Sequence, residues 1–93
     1  MNEQIITPTI HLNGTIATRL LEPLSAAFDK LEEAYAALKE TAPNGRDYYV
    51  QGDHAMGRAV NEHMKRLARI DAVKAEVEML ILAIEVQVVQ ANQ

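Results

Sequence analysis

At 93 residues and 10.3 kDa the chain is sized for a single domain, which excludes an enzyme built from separate cofactor and substrate lobes. Hydrophobic residues make up 48% of it but aromatic ones only 4%, an aliphatic, alanine-rich composition that belongs to packed helices rather than to a β-sandwich. Thirteen acidic against nine basic residues leave a net charge of −4, which disfavours binding of nucleic acid by the whole surface, and the lack of cysteine excludes disulfides and thiolate metal sites.

Residues 1–14 read as an N-terminal arm. Thr9-Ile10-His11-Leu12 alternates polar with apolar as an extended segment does, and Asn13-Gly14 marks a turn. The opening MNEQIITPTIHL has no basic stretch leading into an apolar core, so no secretion signal is expected. A first helix is predicted over 15–41, with Thr15 or Thr18 as its N-cap. Its apolar positions, Leu21, Leu24, Phe28, Leu31, Tyr35 and Leu38, alternate in steps of three and four, which is a heptad seam. Pro23 is discordant, because it lacks an amide proton and crowds the carbonyl four residues back. It predicts either a kink or a regular helix that starts near Glu22. Ala42-Pro43-Asn44-Gly45 should stop the helix, with Asn44-Gly45 suited to a left-handed turn.

A loop over 42–52 leads to a second helix predicted over 53–91, with Asp53 as N-cap. Its seam reads Val60, His63, Leu67, Ile70, Lys74, Val77, Ile81, Ile84, Val88. The fold class expected is therefore all-α, an antiparallel two-helix hairpin with an extended arm, forming one domain over 1–93. The second helix is the longer, and its surplus length is expected at the end where the arm lies. Val77 to Val89 is apolar on nearly every side and must be buried. Two helices of this size cannot shelter it, and a small scaffold without disulfides or metal usually solves the problem by oligomerising. The expected assembly is a homo-oligomer cored by Val77, Leu80, Ile81, Ile84 and Val88. A strand over Glu85–Val89, where Val and Gln alternate, is the competing reading. The longest apolar run, Met79 to Ile84, falls far short of the ~20 residues of a membrane span. A soluble cytoplasmic chain with no membrane partner is expected.

Catalytic signals are missing. His11, His54 and His63 form no close metal-binding pair, and Glu62-His63 is half of a zinc-protease motif without its partner. His63 reads instead as a seam histidine hydrogen-bonded across the hairpin. Ser25 has no flanking glycines, and no phosphate-binding glycine motif occurs. No enzyme activity, metal or cofactor is predicted. The loop is the richest stretch chemically. Tyr48 and Tyr49 could stack on a base while Arg46 pairs with a phosphate, or the tyrosines could simply cap the hairpin and Arg46 pair with Asp47. Residues 15–41 hold three bases and five acids, whereas 53–75 hold five bases and three acids, so the helices attract. Arg58, Lys65 and Arg69 share one helical face, with Arg66 away from it. Such basic residues are either solvated or, repeated around a symmetry axis, a ring for a phosphorylated ligand. His11 and Asn13 could help to cradle an anion at the start of the first helix, or merely cap it.

The segments Thr9-Ile10-His11-Leu12-Asn13-Gly14-Thr15 and Ala42-Pro43-Asn44-Gly45-Arg46-Asp47-Tyr48-Tyr49, followed by Glu62-His63, resemble those of small proteins of bacteriophages and prophages. In shape alone, the expected oligomeric hairpin is similar to phage sponge proteins of the anti-CBASS and anti-Thoeris families, which sequester cyclic nucleotide signals between subunits. The resemblance implies a phage-derived protein acting in the host-cell cytoplasm. The shape likeness suggests non-enzymatic capture of a nucleotide-like anion at subunit interfaces; it carries over no binding residue, and the candidates Arg46, Tyr48, Tyr49, Arg66, His11 and Asn13 rest on their own chemistry. The alternative is a structural or protein-interaction module, a virion component or an inhibitor of a host protein, that works through its apolar C-terminal helix.

Overall fold

A computed structural model describes residues 5–91. It contains two helices, α1 (Ala17–Lys39) and α2 (Ala55–Ala91), packed as a hairpin and joined through two short 3-10 turns, Gly45–Asp47 and Tyr49–Gln51. No strand occurs among the described residues, and Glu85–Val89 lies inside α2, so the strand reading of that segment is corrected to helix.

The α1 seam lies where its spacing places it. Leu21, Leu24, Phe28, Leu31, Tyr35 and Leu38 are all half-buried toward α2. The ends differ from expectation. The N-cap position is Ile16, which offers no side-chain acceptor; neither Thr15 nor Thr18 caps the helix, and Arg19 N–H turns back to the Ile16 carbonyl at 3.1 Å. The helix runs through Pro23, which is exposed, so the carbonyl that the proline leaves without a donor is on the side open to water. At the other end Thr41 closes α1, its hydroxyl donating to the Leu38 carbonyl at 2.7 Å. The left-handed turn expected at Asn44-Gly45 is not used there. Asn44 is extended, and its side chain instead accepts from Arg46 N–H at 3.1 Å, capping the first 3-10 turn. The one positive φ among the described residues is Gly52, at 111°, where the chain swings into α2. Helix α2 starts two residues after Asp53, with the first helical bond from Arg58 N–H to the His54 carbonyl at 3.1 Å, so His54 occupies the cap position.

The register of the hairpin corrects the expected overhang. Lys74 meets Glu32 and lies beside Phe28 and Tyr35, while Leu21 lies beside Val88 and Val89. The start of α1 is therefore level with the end of α2. At 1.5 Å per residue α2 extends ~55 Å and α1 ~35 Å, so the surplus of α2 projects at the loop end instead of the arm end. The linker folds back along it: Tyr48 and Gln51 lie against Ala55, Arg58 and Ala59. Two small residues, Ala55 and Ala59, make that close approach possible, and the seam begins at Ala59 while Val60 is exposed.

At the other end the arm packs on its own chain. Gln87 on α2 accepts from Ile10 N–H at 2.8 Å and donates to the Pro8 carbonyl at 2.9 Å and to the Ala83 carbonyl at 3.1 Å. One side chain thus gives the arm two of the bonds a neighbouring strand would give. The arm then turns through His11–Gly14, with Gly14 N–H donating to the His11 carbonyl at 3.1 Å. A Cβ at Gly14 would come within 2.8 Å of the exposed His11 ring, which would have to swing aside for any larger residue.

Burial follows this layout. Ala55, Ala59, His63 and Leu67 are buried in the half of α2 near the linker, and Ile84 is fully buried in the half where the arm lies. Between them, where α1 alone faces α2, Ile70, Lys74, Val77, Leu80 and Ile81 are only half-buried. A third segment makes the difference.

Candidate functional site: the outer face of helix 2

Helix α2 carries two apolar stripes. The inner one faces α1. The outer one comprises Ala68, Ala72, Ala75, Met79, Leu82, Val86 and Val89, all exposed, with Leu82 at 53% and Val89 at 59% of full accessibility. From Ala72 onward its spacing is 3, 4, 3, 4, 3, a second heptad seam. At 100° per residue it is centred roughly 130° around the helix from the inner one. Val60 and Met64, also exposed, continue it toward the loop. Asp71, Glu78 and Glu85 run along one border, and Lys65, Arg69 and Glu76 along the other.

The stripe is dented rather than flat. One shallow depression is lined by Leu82, Val86 and Val89 with Glu85 and Gln90; a second lies between Leu82 and Met79 of α2 and Ile5 and Thr7 of the arm. The arm, pinned by Gln87, therefore widens the apolar face and adds the outward-pointing Ile6 to its surroundings. Singly exposed apolar residues are ordinary on any surface, whereas here they form one continuous stripe from Ala68 to Val89.

Of the residues expected at the oligomer centre, Ile84 is fully buried within the hairpin itself, and Val77, Leu80, Ile81 and Val88 are half-buried along the inner side. The residues that face outward are Met79, Leu82, Val86 and Val89. Sequence reasoning missed that face because Val77–Val89 is apolar all round; the signal that could have found it is the second heptad, Ala72 to Val89.

The expected ligand residues fall into separate places. Arg46, Tyr48 and Tyr49 belong to the linker, where Arg46 is exposed, Tyr49 is 73% exposed and Tyr48 is half-buried toward the start of α2. His11 and Asn13 belong to the turn before α1, at the opposite end of a helix ~35 Å long. Arg66 is on α2, with Nη2 at 3.9 Å from Glu62 Oε1. The structure brings Tyr48 near Arg58, which shares two shallow polar depressions with Gln51, and it does not gather the six expected residues into one cleft. His63 is buried, and no hydrogen bond from its ring crosses the hairpin among the described residues.

No family model, no curated protein and no solved structure matches the chain. No helix among the described residues is long and apolar enough to cross a membrane.

Proposed function

We propose that the protein is a non-catalytic helical assembly module, which works by packing the outer face of α2 against another helical surface. The observation that carries this reading is the exposed apolar seam from Ala68 to Val89. Apolar area is the main source of affinity between helices in water, and here a run of it is left over after the hairpin has formed. In the setting of the phage resemblance, such a module serves as a virion component or as an inhibitor docking on a host protein in the host cytoplasm. Either use requires the same face. Capture of a nucleotide-like anion has less behind it, since its residues divide between the two ends of a rod.

The test is Leu82→Lys, which puts a charge at the middle of the face without touching the hairpin interior. Light scattering should show a larger particle for the unaltered chain than for the variant, with equal helicity by circular dichroism. Equal particle masses would refute self-assembly through this face and leave docking on a different protein as its use.

A further inference from the structure

We propose that the partner of the outer face is a basic amphipathic helix of another protein, one whose apolar stripe is edged with lysine or arginine. The inference rests on the assembly reading above and names the chemistry of what docks. Three observations carry it.

The first is charge. From Asp71 to Ala91, α2 carries four acids against one lysine, a net charge of −3. The charged residues that border the seam between Ala72 and Val89 are all acids: Asp71, Glu78 and Glu85 on one side and Glu76 on the other. Lys74, the one cation of this half, is already shared between Glu32 at 3.7 Å and Asp71 at 3.9 Å. Glu76, Glu78 and Glu85 are exposed and make no ion pair among the described residues. The arm brings no compensation, since residues 5–14 contain no lysine or arginine.

The second is the placing of those acids beside the apolar depressions. Glu85 lines the depression formed by Leu82, Val86 and Val89, so an apolar side chain seated there brings the residues beside it within reach of a carboxylate. Glu78 lies one heptad earlier on the same border, ~10.5 Å along the helix. A partner helix with cations seven residues apart meets both. The seam itself has the spacing of three and four that accepts a helix, knobs into holes, over ~26 Å from Ala72 to Val89.

The third is what the acids turn away. Carboxylates beside an apolar stripe repel the anionic headgroups of a membrane surface and the phosphates of a nucleic acid. A second copy docked antiparallel meets the acidic border with its own, so pairing of copies through this face is the weaker contact and yields to a helix with basic flanks. Opposite charge at the rim then selects among apolar helices that would otherwise fit equally.

Two labelled synthetic helices of about 18 residues, long enough to span the seam, test this. Both carry the same leucine heptad, one flanked by lysine and the other by glutamate, and each is titrated with the full chain by fluorescence anisotropy at physiological salt. The lysine peptide should bind saturably and about tenfold or more tightly than the glutamate peptide. Leu82→Lys should abolish its binding. Glu78→Gln combined with Glu85→Gln should weaken it about fivefold, whereas Glu33→Gln combined with Glu40→Gln, which removes the same charge from exposed positions outside the α1 seam, should leave it unchanged. Equal affinity for the two peptides, or an equal loss in the two double variants, would overturn the basic partner and leave a face that docks helices regardless of charge. Binding of neither peptide would overturn the inference, and in a chain that also sediments singly it would overturn the assembly reading with it.

Discussion

Lys74 on α2 lies 3.7 Å from the Glu32 carboxylate on α1, and the pair marks which turn of one helix faces which turn of the other. The same ammonium is 5.6 Å from the centre of the Phe28 ring and 5.8 Å from that of Tyr35, so a lysine in an apolar seam has its stem buried and its charge answered from two sides. Replacing it with alanine removes the cation–π contacts and the ion pair together. Lys74→Ala should lower stability by about 1–2 kcal/mol, read as a lower urea midpoint. Lys74→Met should recover part of the loss by restoring the stem.

Ile84 is the one large apolar side chain that is fully buried among the described residues, at 0% exposure. Ile84→Ala should cost about 3 kcal/mol through lost burial and the cavity left behind. Leu82→Ala, one turn face away and half open to water, should cost the hairpin under about 1 kcal/mol. Both comparisons belong in a Leu82→Lys or equivalent non-associating background, so that the midpoint reports the fold and not the assembly.

Much of this was legible from spacing alone. The six apolar positions of α1 form one stripe because the steps of three and four leave no other face for them, and the structure buries all six partway. Register was a different matter. A heptad pattern says which side of a helix turns inward but not which turn of the partner it meets, so the surplus of α2 was expected at the arm end although Lys74 and Glu32 place it at the loop end. The turn chemistry misled for a related reason: Asn44-Gly45 can adopt a left-handed turn, but Thr41 had already satisfied the Leu38 carbonyl, and the left-handed residue was needed at Gly52 instead. The outer face escaped notice because its upper half is alanine, which reads as helix-forming filler, and its lower half is part of a segment with no polar side. The chemistry of the loop residues is legible in the sequence but their position is not, since spacing cannot place a loop in space; Arg58 joins Tyr48 only because the linker folds back.

Gln87 is the sole polar attachment of the arm seen among the described residues. In Gln87→Leu the Ile10 amide should lose most of its protection from hydrogen exchange, with a drop of about fivefold, since one hydrogen bond contributes about 1 kcal/mol. Gln87→Glu keeps an acceptor for Ile10 N–H but no donor for the Pro8 carbonyl. Its Ile10 amide should be protected to an intermediate degree.

Arg46→Ala and Tyr49→Ala change exposed linker side chains. Neither should alter the particle mass or shift the urea midpoint by more than about 0.5 kcal/mol. Isothermal titration of the unaltered chain with cyclic dinucleotides should give no saturable heat. Saturable heat that both variants abolish would instead return the linker to the centre of the function.

The account turns on whether the hairpin exists alone. Sedimentation equilibrium of the unaltered chain over a range of micromolar dilutions measures this directly. The prediction is a mass that is a multiple of the 10.3 kDa chain and falls on dilution. A well-folded particle of single-chain mass at every dilution would contradict it.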